Sequence, residues 1–212
     1  MTADTIDLDE LERDALTELV NIGVSRAAAS LRKMVNKEVL LSVPSVEIVT
    51  RKSASSLIGQ RESESLIAVQ QQFEGPFSGR ALLIFPQSNG LSLVRSIVGD
   101  GMEDADLLEM EDEALAETGN VILNGCLGSM ANMLQHSLKM SLPDVRRGDS
   151  ALLFEAYDGG VEGSFVLFLY INFSVRERDI RGYIAMIMDL PSMEKLKRLI
   201  ADFIDRVMTE TE

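Results

Sequence analysis

One cysteine, one histidine, five prolines and no tryptophan occur among 212 residues, and each scarcity closes off a class of protein. The lone thiol, Cys126, excludes an intrachain disulfide and fits a reducing compartment, so a cytoplasmic location is expected. With only that thiol and His136, the usual zinc ligand sets cannot be assembled. Residues 1–10 carry four acidic side chains and no apolar core, so no secretory signal is expected there. The longest apolar stretch, residues 165–171, is far too short to span a bilayer. Positive charge is scarce as well: 20 Lys and Arg stand against 34 Asp and Glu, a net charge of -14. Such a field repels nucleic acids and anionic membranes, and a protein partner with a basic rim or an exposed lysine fits it better.

What is present is the composition of a globular protein, 46% hydrophobic and 25% charged, at a length that suits one substantial domain. Apolar residues at three- and four-residue spacing predict a long helix over residues 7–35. Residues 38–50 read as a strand, with Pro44 inside it marking an edge or a bulge. Strands over 66–73 and 80–85 flank a turn-rich segment, and a helix over 91–98 follows the Asn89-Gly90 break. The pattern then restarts: a helix over 107–138, strands over 151–157, 165–173 and 183–188, and a closing helix over 192–208 with Ser192 as its N-cap.

The restart is an internal repeat. Gly79, Leu83, Ile84 and Phe85 match Gly182, Met186, Ile187 and Met188 at an offset of 103, and Leu93, Arg95 and Ile97 match Leu196, Arg198 and Ile200 at the same offset. The long helices match at an offset of 99, Ala27 with Cys126, Ser30 with Ser129, Leu31 with Met130 and Met34 with Met133. The expected fold is therefore mixed α+β, with two homologous halves (about 7–100 and 106–209) in one domain without a linker. Each half supplies a long helix, three strands and a shorter helix. Neither has enough apolar surface alone, so one shared sheet is expected, with the two long helices side by side on it.

In the first long helix Asp14, Glu18 and Asn21 fall, at about 100° per residue, within a stripe roughly 60° wide. Leu16, Leu19, Val20, Gly23, Ala27 and Met34 occupy the opposite face, which would pack on the sheet. The second long helix repeats the arrangement with Glu113, Glu117 and Asn120, opposite Ile122, Cys126 and Met133. A proline follows each asparagine after 22 residues, Pro44 and Pro143. A carboxylate and a carboxamide three residues apart are ordinary on a solvated face. A Glu, Asn and Pro at these spacings, however, arise by chance at about one start in ten thousand. Two copies at equivalent points of a repeat favour function over decoration.

This pattern, Asp/Ser-x3-Glu-x2-Asn-x22-Pro, resembles the signature of the CheC, CheX and FliY phosphatases of bacterial and archaeal chemotaxis. Asp14, Glu18, Asn21 and Pro44 fit fully, while Glu113 departs from the expected Asp or Ser ahead of Glu117, Asn120 and Pro143. The resemblance covers the whole chain, and its two motifs without an added switch domain are most similar to the CheC branch. It implies hydrolysis of the aspartyl-phosphate of a CheY-like receiver, which supplies its own Mg²⁺ and lysine, so no cofactor belongs to this chain. Asn21 and Asn120 would position the attacking water, and Glu18 and Glu117 would engage the receiver lysine. Asp14 and Glu113 would orient the glutamates or meet the partner, and Pro44 and Pro143 would shape the chain beyond each helix. The resemblance also brings in the receptor deamidase CheD as a second partner, for which Arg95 and Arg198 are available. The rival reading is an adaptor that binds a receiver or CheD without turnover. A small-molecule metallohydrolase is excluded for want of ligands and of a phosphate-cradling glycine loop.

The remaining residues read as structure. His136 falls on a polar stretch and Cys126 on the packing face, and the eleven methionines fill space at core positions. Gly119, Gly125 and Gly128 would each weaken a helix by about 1 kcal/mol relative to Ala, which points to close backbone packing between the long helices.

Overall fold

The first long helix starts where an acidic cap can satisfy its free amides. In the computed structural model, which describes residues 6, 8–36, 38–98, 103–155, 164–175 and 178–210, α1 (Glu10–Val35) opens on Asp9. The Glu12 amide donates to Asp9 Oδ1 at 2.8 Å and the Asp9 amide donates to Glu12 Oε2 at 3.0 Å, a reciprocal capping box. Glu12 is buried and also meets Lys197 Nζ at 3.2 Å, which ties the start of α1 to the last helix. The helix ends at Asn36, whose φ of 50° is left-handed.

The chain continues through β1 (Val39–Thr50), α2 (Arg51–Arg61), β2 (Leu66–Glu74), β3 (Gly79–Pro86) and α3 (Gln87–Val98). The second half runs α4 (Asp104–Met133), β4 (Lys139–Met140), β5 (Asp144–Gly148), α5 (Ser150–Leu153), β6 (Phe165–Val175), β7 (Arg178–Met188) and α6 (Leu190–Glu210). All the strands join one antiparallel sheet in the order β1-β6-β7-β3-β2-β4, with β5 also on β2. The order is its own mirror about the central β7–β3 pair: β1 answers β4 and β5, and β6 answers β2. At the offset of 99 the 12-residue β1 covers β4, the Ser141-Leu142-Pro143 break and β5. The expected irregularity at Pro44 is present, because β1 is an edge strand whose register on β6 shifts between Ser42 and Ser45.

Each face of the sheet carries its own core. On one, α1, α3, α4 and α6 cover Ile67, Val69, Phe73, Leu83, Leu167, Leu169 and Ile184. On the other, Ala54 and Ile58 of α2 and Leu153 of α5 pack with Phe168, Tyr170 and Tyr183. The long helices meet each other closely. A Cβ on Gly23 would lie 2.8 Å from the Cys126 carbonyl oxygen, and one on Gly125 would lie 2.8 Å from Ala27 Cα.

Several expectations are corrected. Residues 150–153 form α5, not the start of a strand over 151–157; Ala156 and Tyr157 lie outside the described residues, as does Asp7. The short apolar run Ala-Leu-Leu-Phe is compatible with either state, and the Asp149 side chain decides for helix by accepting from the Leu152 amide. The polar strands β4 and β5 and the polar helix α2 were not expected. Helix α4 stops before 138 because Gln135 turns left-handed at φ 61°. Helix α3 runs through Asn89 and Gly90. Asp189, not Ser192, caps α6: it accepts from the Ser192 amide at 2.9 Å, while Ser192 Oγ accepts from the Ser78 amide at 3.2 Å. Met34 is 40% exposed and so leaves the packing face of α1. Among the three glycines of α4 only Gly125 meets α1; Gly119 faces Val69 of β2, and Gly128 has open space.

Candidate functional site: two helix faces

Both predicted stripes lie on α1 and α4 with their carboxylates in solvent. Asp14 and Glu18 on α1, and Glu113 and Glu117 on α4, are exposed, and Asn21 and Asn120 are half-buried one turn further along. The apolar residues between them bury Leu16, Leu19, Val20, Leu115 and Ile122, which fixes the rotation of each helix and turns the stripes outward. Pro143 lies half-buried between β4 and β5, and the backbone of Pro44 lies in β1; neither proline belongs to a helix stripe. Among the described residues none of the four carboxylates forms a salt bridge.

The stripes extend to two residues that the sequence reading passed over. Leu11 and Met110, at the same repeat position, are 53% and 39% exposed one turn before Asp14 and Glu113. Their pairing across the repeat is visible in the sequence, although exposure is not. Each face thus offers an apolar anchor, two carboxylates and a carboxamide in line.

Beneath the second stripe lies a further pair that was missed. Asn120 Oδ1 accepts from Gln71 Nε2 of β2 at 3.0 Å and from Asn124 Nδ2 at 2.6 Å. Gln71 is 1% exposed and its Nε2 also donates to the Ser141 carbonyl at 2.8 Å. Its Oε1 is buried without a hydrogen-bond partner among the described residues. The signal in the sequence was a glutamine between Val69 and Phe73 on the inward alternation of the Leu-Ile-Ala-Val-Gln-Gln-Gln-Phe strand, a face otherwise apolar. Asn21 makes no side-chain hydrogen bond to a described residue.

The start of α4 is steadied from the sheet. Arg147 of β5 donates to Glu111 Oε2 at 2.9 Å and also pairs with Asp112, contacts that hold its guanidinium above the ordinary value, Asp112 chiefly. Cys126 lies in the α1–α4 contact, and burial pushes its thiol up to about 12. Such a thiol is inert as a nucleophile. Among the described residues no group of three His, Cys, Asp or Glu side chains could hold a metal ion, and no helix is long and apolar enough to cross a membrane.

Each half of the mirrored helix–sheet unit thus bears one Glu–Asn face. A family model described as CheC-like matches residues 11–48, which hold the first stripe and Pro44. The chain is homologous to two Bacillus subtilis proteins. It is 30% identical over 141 residues to the flagellar motor switch phosphatase FliY, a match that spans 66% of this chain and only 36% of FliY. It is 23% identical over 197 residues to the CheY-P phosphatase CheC, covering 89% of this chain and 93% of CheC. The crystal structure of Thermotoga maritima FliY has the same fold, with a TM-score of 0.71 at 17% identity, covering 94% of this chain and all of that one. The Helicobacter pylori FliM middle domain shares the fold more distantly, with a TM-score of 0.59 at 10% identity over 91% of this chain and 99% of its own.

Proposed function

We propose that this protein hydrolyses the aspartyl-phosphate of a CheY-like receiver, at two equivalent faces. The observation that carries the reading is the recurrence of an exposed glutamate and a half-buried asparagine, one turn apart, on both long helices. The relatives support it, since CheC of Bacillus subtilis is a CheY-P phosphatase and covers nearly the whole chain. This chain spans about a third of FliY, so nothing of FliY's role in the flagellar switch is carried over.

An acyl phosphate hydrolyses unaided, and the receiver brings the Mg²⁺ and the lysine that neutralise its charge. What remains is to place a water in line with the phosphorus. A carboxamide suits that task because its oxygen accepts from the water and its amine donates, with no negative charge to repel the phosphoryl group. Asn21 and Asn120 take that role. Glu18 and Glu117 pair with the receiver lysine, which fixes the register in which each asparagine enters. Leu11 and Met110 give each face an apolar contact with the receiver, and Asp14 and Glu113 add charge that steers a basic rim. The test follows the decay of a radiolabelled CheY phosphate with wild type, Asn21→Ala, Asn120→Ala and the double variant. Acceleration by the wild type, abolished in the double variant, is expected, and the single variants rank the two faces. Acceleration that survives in the double variant would remove the asparagines from the mechanism.

A further inference from the structure

The two faces are not built alike, and the difference lies beneath Asn120. The carbonyl of Ser141 can only accept, so the Gln71 atom 2.8 Å from it is the amine Nε2. That amine also reaches Asn120 at 3.0 Å, which must therefore present Oδ1, and Asn124 Nδ2 meets the same oxygen at 2.6 Å. One backbone carbonyl thus settles the orientation of three carboxamides. A carbonyl oxygen accepts along two lone pairs, and both of those on Asn120 are occupied.

The first face lacks these partners in its sequence. Gln71 stands opposite Ala81 on β3, and the matching position opposite Ile184 on β7 is Leu169. Asn124 corresponds to Ser25, and Gly119, which lets α4 settle onto Val69, corresponds to Val20. A buried glutamine with an unpartnered Oε1 is unfavourable where leucine packs on the mirror strand. Such local conflicts concentrate at functional positions.

We propose, resting on the phosphatase reading, that Gln71 and Asn124 latch Asn120 with its oxygen turned inward, so that Asn21 carries turnover until Asn120 is released. In the latched state Asn120 donates to a phosphoryl oxygen but cannot accept from the attacking water. Gln71 touches no substrate; it is a positioning residue, and its effect is inhibitory.

The experiment isolates the second face in Asn21→Ala and measures its residual acceleration of CheY phosphate decay. Adding Gln71→Leu, the side chain of the mirror strand, should raise that rate about threefold to tenfold, the equilibrium worth of one neutral hydrogen bond. Asn124→Ala, at a half-exposed position, should raise it too, and adding Asn120→Ala to either should return decay to the unaided rate. A damaged fold lowers the rate, so a rise has no trivial structural cause. Without any receiver, the side-chain amide resonances of Asn120 should move in Gln71→Leu. Unmoved resonances, or a rate that falls or stays level in both variants, would overturn the latch while leaving an active wild type's phosphatase reading intact. An inert wild type would instead overturn the reading on which the latch rests.

Discussion

Two glycines nine residues apart on α4 should respond to alanine with opposite signs. At Gly128 a Cβ meets nothing within 4 Å, so Gly128→Ala should gain most of the helix-propensity difference, about 0.5–1 kcal/mol. At Gly119 the new Cβ would lie 2.5 Å from both Cβ and Cγ1 of Val69. Rotating Val69 moves its methyls but not its Cβ, so the backbone of α4 or β2 has to shift. Overpacking of this kind costs about 1–3 kcal/mol, which outweighs the propensity gain and leaves a net loss of about 1–2 kcal/mol. Urea denaturation reads both: with a slope near 2 kcal/mol/M, Gly119→Ala should lower the midpoint by roughly 0.5 M or more and Gly128→Ala should raise it, at unchanged slope. Val69→Gly removes that Cβ along with the methyls, so the double variant should be more stable than the sum of the singles by about 1 kcal/mol or more. A Gly119→Ala variant that is stabilised like Gly128→Ala, or a strictly additive double variant, would refute the close approach of α4 to β2.

Two further outcomes follow from the packing. The Cys126 thiol rises from about 9 to about 12 on burial, so its neutral form is favoured in the fold. That contribution is whole below about pH 9 and drains away as pH climbs towards 12, at no more than about 1.4 kcal/mol per pH unit. Denaturation at pH 8 and pH 10 should show this loss in the wild type and a smaller one in Cys126→Ala; equal losses would contradict it. Asn36 ends α1 in the left-handed region, so Asn36→Gly should stay within about 0.5 kcal/mol of wild type while Asn36→Ala loses about 1 kcal/mol. A thermal melt that ranks the two equally would count against that cap.

The repeat was the most legible feature, because matching residues at offsets of 99 and 103 predict mirrored halves, and the sheet is mirrored about β7–β3. The stripes were legible for a similar reason: helical periodicity fixes which residues share a face, and Pro44 announced the bulge in β1. What escaped were elements whose stability is tertiary. Helix α2 buries only Ala54 and Ile58, and β5 is almost wholly polar, so neither carries a periodic apolar signal. Carrying the offset of 99 from β1 onto residues 138–149 would have found β4 and β5, because pairing with β2 supplies what their composition lacks. Gln71 escaped because strand alternation alone does not say that an inward glutamine meets a helix asparagine from the other half.

The central claim is that the asparagines catalyse while the rest of each face binds. The most direct measurement follows CheY phosphate decay and binding to beryllofluoride-activated CheY in parallel, for wild type and Asn21→Ala/Asn120→Ala. The double variant should bind within a fewfold of wild type and leave decay at the unaided rate. A wild type that binds the activated receiver without hastening its decay would contradict the account and make this protein an adaptor.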